Sequence, residues 1–298
     1  MTEYRFDHFR REHLWDDLAF RAGPEPGWAV PDFDLPTLHG GRIRKADFAG
    51  NRPVLFTFAS LTDPMAASAA PVLRRLHREW GDEVAFVTVY VREAHPGDRV
   101  PQPRTAEWKA RHARMLADRD GLAWTVAVDD LEGSFHRAMG GNSNAAYLMD
   151  PSGNVAFRTL WSNDERVLGE ALGAVARGAP AHPFERARRL VPLALGLSRV
   201  DDVVRAAGPE ALGDLRREAP GVFLAAQLAW AWRALTPVGR LAVVSATAAA
   251  ALSAWQGSRL ALRAARSSGA RRAGASRRAA GSARRALASA GSLLPLRS

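Results

Sequence analysis

Two hydrophobic rhythms alternate along the chain as far as residue 176, and only one continues beyond it. Val54 to Phe58 is a short apolar, β-rich run, and Val84 to Val91 (VAFVTVYV) is a second; both predict buried strands. Between them Met65, Ala69, Val72, Leu73, Leu76 and Trp80 recur at spacings of three and four. That predicts a helix from Pro64 to Trp80 with one buried face, stopped by Gly81. Arg104 to Asp118 reads as a second helix, Trp124 to Val128 as a third strand, Asp130 to Met139 as a short helix and Ala145 to Met149 as a fourth strand. Asp150-Pro151-Ser152-Gly153 is a turn signal, Val155 to Leu160 answers it as an antiparallel partner, and Glu165 to Val175 closes the series with a helix.

This order of strands and helices fits an α/β, thioredoxin-like sandwich over residues 25–176. In front of it, Phe6, Phe9, Leu14, Leu18 and Phe20 among charges predict an amphipathic helix within residues 1–24. Phe33 and Leu35, the Gly40-Gly41 turn and Ile43 predict a hairpin laid before the main sheet. Past Gly178 the texture changes. Residues 177–183 read as a linker and residues 184–266 as a helical region, with periodic stretches at Phe184–Val200, Asp201–Arg217, Val222–Leu235 and Leu241–Arg266. Residues 267–298 hold too few large apolar side chains for a core and are expected to be a disordered Arg/Ala-rich tail. The C-terminal extension is thus expected to be α-helical and partly disordered.

Charge sharpens that division. The net charge is +10, from 41 basic and 31 acidic residues among 298. Ten arginines follow Gln256 with no acid among them, so 31 basic residues face 31 acidic ones before it. Basicity belongs to the tail. Aromatic residues are absent after Trp255, which removes base stacking, so specific nucleic-acid binding is not expected. There is no cysteine, which excludes disulfides, thiolate metal sites and thiol nucleophiles. The N-terminal stretch is too charged for the core of a signal peptide, and the cytoplasm is the expected location.

Ala59 to Asp63 turn the first long strand sharply into the helix that begins at Pro64. In redox proteins of the thioredoxin type this junction holds cysteine or selenocysteine, because the helix N-terminus lowers the pKa of the attacking group. Here it holds Asp63, and Asp63-Pro64 is also an ordinary helix start, with aspartate at the N-cap and proline in the first turn.

Two stretches around this junction resemble the iodothyronine deiodinases, a branch of the thioredoxin superfamily. FASLTDPM is similar to the family's Phe-Gly-Ser-Cys-Thr-selenocysteine-Pro-Pro at Phe58, Ser60, Thr62 and Pro64, with Leu61 in place of cysteine and Asp63 in place of selenocysteine. YVREAHPGD resembles Tyr-Ile-x-Glu-Ala-His-Pro-Ser-Asp at Tyr90, Glu93, Ala94, His95, Pro96 and Asp98. A weaker likeness continues through residues 101–116, where a histidine frequent in the family falls at Pro103. The resemblance implies reductive dehalogenation of phenolic rings with an external thiol. Carried over by position, Asp63, His95 and Glu93 are the candidate catalytic residues, and Ser60, Thr62 and Tyr90 the candidate substrate-binding residues.

Without sulfur or selenium, the expectation is a pseudoenzyme, a binding or scaffolding domain for a small phenolic or hydrophobic ligand. The alternatives are an oxidoreductase working through Asp63, His95 and Glu93, or a membrane-surface protein acting through its basic helices. His95 is expected to titrate near neutrality beside Glu93. His8, His13, His77, His112 and His136 show no metal-ligand spacing and are expected at the surface, and no cofactor or metal is expected. No Gly-x-Ser-x-Gly elbow surrounds Ser60. The position at which thioredoxins usually carry a cis-proline holds Asn144. Finally, the apolar stretches at 222–232 and 241–258 admit two readings. They could form a membrane hairpin or peripheral helix pair, with the tail on anionic lipid at the inner face, or a soluble bundle of alanine-rich faces.

Overall fold

The computed structural model describes residues 4–16, 18–181 and 190–232, with scattered positions between 234 and 253. Its centre is a five-stranded sheet of β3 (Val54–Ala59), β4 (Ala85–Tyr90), β5 (Thr125–Val128), β6 (Ala146–Met149) and β7 (Val155–Thr159), in the order β5-β4-β3-β6-β7. β3, β4 and β5 run parallel, linked by α2 (Pro64–Trp80) and α3 (Ala106–Asp120); β6 and β7 run antiparallel after α4 (Ser134–Ala138). This is the thioredoxin-like arrangement that the element order implies. Ahead of it lies the expected hairpin, β1 (Asp34–Pro36) and β2 (Arg42–Arg44), paired with Leu35 opposite Ile43.

Every residue of β3 and β4 is buried, because both faces of the sheet are covered. Val54, Phe56 and Phe58 pack with Phe33, Phe135 and Tyr147 on one face. Leu55 packs on the other, with Leu73 and Leu76 of α2 and with Leu168 and Leu172 of α5 (Glu165–Ala176).

The C-terminal helices join this core. They are α6 (Leu190–Leu197), α7 (Val200–Ala207), α8 (Pro209–Glu218) and α9 (Pro220–Ala231). Val204, Ala211, Leu215 and Ala226 are buried in one cluster with Leu61, Tyr90, Leu116 and Val128. The described residues up to 243 form one compact unit. The helix expected over Asp201–Arg217 breaks at Gly208, whose φ of +121° only glycine adopts readily, and restarts at Pro209.

The N-terminal helix is also shorter than its apolar pattern suggests: α1 spans Arg11–Asp16, and residues 4–10 are not helical. Tertiary packing overrides the periodicity there, since Phe9 is buried against the cluster that holds α7 and α8. Among the described residues no helix is long and apolar enough to cross a membrane. The expectations for 184–189, for most of 241–266 and for the 267–298 tail lie outside the described residues.

Candidate functional site

The site is built where β3 ends. Residues 60–63 turn the chain, and Asp63, in extended conformation at φ −99° and ψ 110°, caps α2 by accepting a hydrogen bond from the Met65 amide at 2.8 Å. Pro64 follows in the first turn. Asp63 is only 3% exposed. The helix-start role of this carboxylate is therefore met in full.

Beneath the turn lies a polar network. The Glu93 carboxylate accepts from the Thr62 amide (3.1 Å) and hydroxyl (2.8 Å) through Oε2, and from the Tyr90 hydroxyl and His112 Nδ1 (2.9 Å) through Oε1. The Trp108 indole N–H can only donate, and it reaches His112 Nε2 at 2.9 Å. That fixes the neutral tautomer with the proton on Nδ1, facing Glu93. Burial, and then the Glu93 charge, push the Tyr90 phenol well above its usual range, so it remains a donor. It accepts in turn from the Leu61 amide at 3.1 Å. Gln102 pairs with both backbone groups of Glu93, at 3.0 and 2.8 Å. The Ser60 and Thr62 hydroxyls accept from the Ala94 and His95 amides at 3.2 and 3.1 Å, and Arg119 grips the Leu61 carbonyl at 2.6 Å.

Above the turn is a partly open pocket of about 160 Å³. Asp63 and His95 line it, with Ser143 and Asn144 from the loop before β6. Phe6, Phe9 and His13 of the N-terminal segment and Leu193, Leu197, Val200 and Leu215 of the C-terminal helices complete a largely apolar wall. Arg92 also reaches it.

The sequence-based candidates thus separate into two layers. Asp63 and His95 share the cavity. Ser60, Thr62, Tyr90 and Glu93 do not line it: all four are buried below, holding the turn to the loop after β4. The hydrogen-bonding groups of the candidate substrate-binding Ser60, Thr62 and Tyr90 and of the candidate catalytic Glu93 are engaged with the protein itself and hold the turn in position. His95 differs from expectation too. It is half-buried against the Phe9 ring, with centroids 4.3 Å apart. Burial first, and then His13, lower its pKa to about 4 against the pull of Asp214, so it is a neutral imidazole at physiological pH. Its Nδ1 finds no hydrogen-bond partner among the described residues.

Sequence reasoning missed His112, which is buried rather than at the surface, as are His13 and His136. The available signal was Trp108 and His112, four residues apart on one helix face. Missed as well was the cavity roof, because nothing in an alanine- and leucine-rich helix announces what it will cover. Among the described residues no three His, Asp or Glu side chains converge to hold a metal ion.

Part of the chain is similar to known proteins. Residues 13–150 match the family model described as iodothyronine deiodinase. The chain is 36% identical over 87 residues to a type II iodothyronine deiodinase of Fundulus heteroclitus, covering 28% of this chain and 33% of that one. It is 28% identical over 144 residues to a thyroxine 5-deiodinase of Gallus gallus, covering 44% and 55%. It therefore spans between a third and about half the length of these curated relatives. Among solved structures, a thioredoxin-like protein from Bacteroides vulgatus aligns with a TM-score of 0.37 at 18% identity, covering 50% of this chain and 88% of that one. Over residues 13–150 the chain is thus similar to the iodothyronine deiodinases, and Asp63 caps α2 where that resemblance sets the redox residue.

Proposed function

We propose that this chain is a non-redox binding domain whose cavity takes a small, single-ring ligand of phenolic type and holds it without turnover. The observation that carries this reading is the mostly apolar pocket that Asp63 and His95 line. Its volume, about 160 Å³, is close to that of a protein cavity known to hold one benzene ring. Neutral His95, Ser143 and Asn144 in its wall offer polar contacts for a phenolic hydroxyl. A two-ring iodothyronine, the substrate class in the relatives' names, exceeds this space unless α6 or the N-terminal segment withdraws.

The reading also rests on what the polar groups lack. A carboxylate cannot cycle between oxidation states as sulfur or selenium does. Glu93 spends four acceptor positions on Thr62, Tyr90 and His112, which leaves the oxidoreductase alternative with a neutral, weakly basic His95. The test compares thermal stabilisation by phenol with dithiol-driven iodide release from an iodinated phenol, in wild type and Asp63→Cys. We expect phenol to raise the melting temperature of wild type as mass action requires, with no iodide released. Dithiol-dependent release by wild type would overturn the proposal; release only by the cysteine variant would support it.

A second reading attaches to α9 and the turn after it. Leu224 (63% exposed), Leu228, Trp232 and Leu235 recur at helical spacing on an exposed face. The ten-arginine stretch follows in sequence, a pairing that suits the surface of an anionic membrane. Cosedimentation with phosphatidylserine vesicles but not with phosphatidylcholine vesicles is expected; equal partitioning into both sinks this reading.

A further inference from the structure

A second cleft, wider and more open than the cavity at about 1470 Å³, lies between residues 4–7, the 102–104 loop and the 132–142 stretch. Five arginines line it, Arg5, Arg21, Arg92, Arg104 and Arg137, against two acids, Asp7 and Glu132. Arg5 is committed to the Pro103 carbonyl at 2.7 Å and to Glu132 at 3.8 Å. Arg92 lies 4.8 and 5.4 Å from the centres of the Tyr4 and Phe6 rings, and its Nε is buried without a hydrogen-bond partner among the described residues. Arg104 and Arg137 are exposed, and no described carboxylate forms an ion pair with either. Guanidinium groups that line one cleft repel one another, and for Arg104 and Arg137 no carboxylate among the described residues offsets the repulsion.

We propose that this cleft binds a small oxyanion ligand carrying at least two negative charges. The guanidinium fork matches phosphate and carboxylate oxygens two at a time, and Ser134 adds a neutral hydrogen-bonding group to the same wall. Five arginines lining one concave site suit a small multivalent anion better than a nucleic-acid backbone, which is tracked by an extended stripe of cations. This inference does not rest on the cavity over Asp63.

The experiment is calorimetric titration of the full chain with inorganic pyrophosphate and, separately, with citrate, at about 0.15 M salt, where diffuse attraction is largely screened. The variant is Arg104→Ser/Arg137→Ser, whose side chains make no described polar contact, so its melting temperature should match wild type. Saturable one-site binding of either anion, weakened about tenfold or more in the double variant, is the expected result. The anion bound more tightly assigns the ligand as phosphate-type or carboxylate-type. Absence of saturable binding in wild type overturns the proposal. So does binding of equal strength in wild type and double variant, which would show that Arg104 and Arg137 take no part in it.

Discussion

Four hydrogen bonds converge on the Glu93 carboxylate, and their number decides what that residue can do. A group with every acceptor position filled by the protein orients its neighbours and has no position left for a ligand. Glu93→Gln keeps the shape but turns one acceptor into a donor facing donors, which should cost about 2–3 kcal/mol of stability in urea denaturation. A cost near zero would mean that the network is slack. The buried histidines give a second prediction. Burial chiefly lowers the pKa of His95 to about 4 and that of His136 to about 3, below the usual 6.5. As pH falls from about 6.5 the unfolded chain takes up protons that the folded chain refuses, so stability should decline progressively towards pH 3. His136→Gln, which keeps an acceptor for the Tyr4 hydroxyl, should flatten that decline in thermal melts across the same window.

Between elements, the loop that resembles the second deiodinase motif also serves a different purpose. Asp98 accepts a hydrogen bond from the Glu210 amide at 3.1 Å, capping the start of α8, and the amides of Arg99 and Val100 both reach the Ala207 carbonyl. The loop that carries His95 to the cavity thereby docks the corner between α7 and α8. Gly208 makes the close approach possible, since a Cβ there would lie 2.1 Å from Asp98 Oδ1. Gly208→Ala, strained in φ as well as in space, is expected to cost more than about 1 kcal/mol, and Asp98→Ala about 1 kcal/mol through loss of the cap. Urea midpoints separate the two effects. A neutral Gly208→Ala would show that α7 and α8 meet the loop differently.

Across the whole unit the consequence is cooperativity. Leu215 of α8 is buried in one cluster with Leu61, Tyr90 and Val128 of the sheet domain. Leu215→Ala should cost about 2–5 kcal/mol, and far-UV and tryptophan signals should melt together, because helix loss removes part of the sheet's own core. Two separated transitions, with the sheet outlasting the helices, would contradict a shared core.

Between residues 54 and 176, periodicity and turn residues determined the strands, the helices and their order, because buried strands and one-faced helices leave patterns within a few residues of each other. Val54–Phe58 and Pro64–Trp80 are nearly the observed β3 and α2. The Asp63 cap was legible for the same reason: aspartate followed by proline satisfies a helix start locally. Side-chain direction at a turn is set by partners distant in sequence, so Ser60, Thr62 and Glu93 could be placed near Asp63 but not below it. His112 joined them only because α3 packs its Trp108–His112 face inward. The same holds for residues 190–231, whose apolar pattern establishes helices without saying against what they pack. Only tertiary structure brought them over Asp63, turning the start of a helix into part of the wall of a largely apolar pocket.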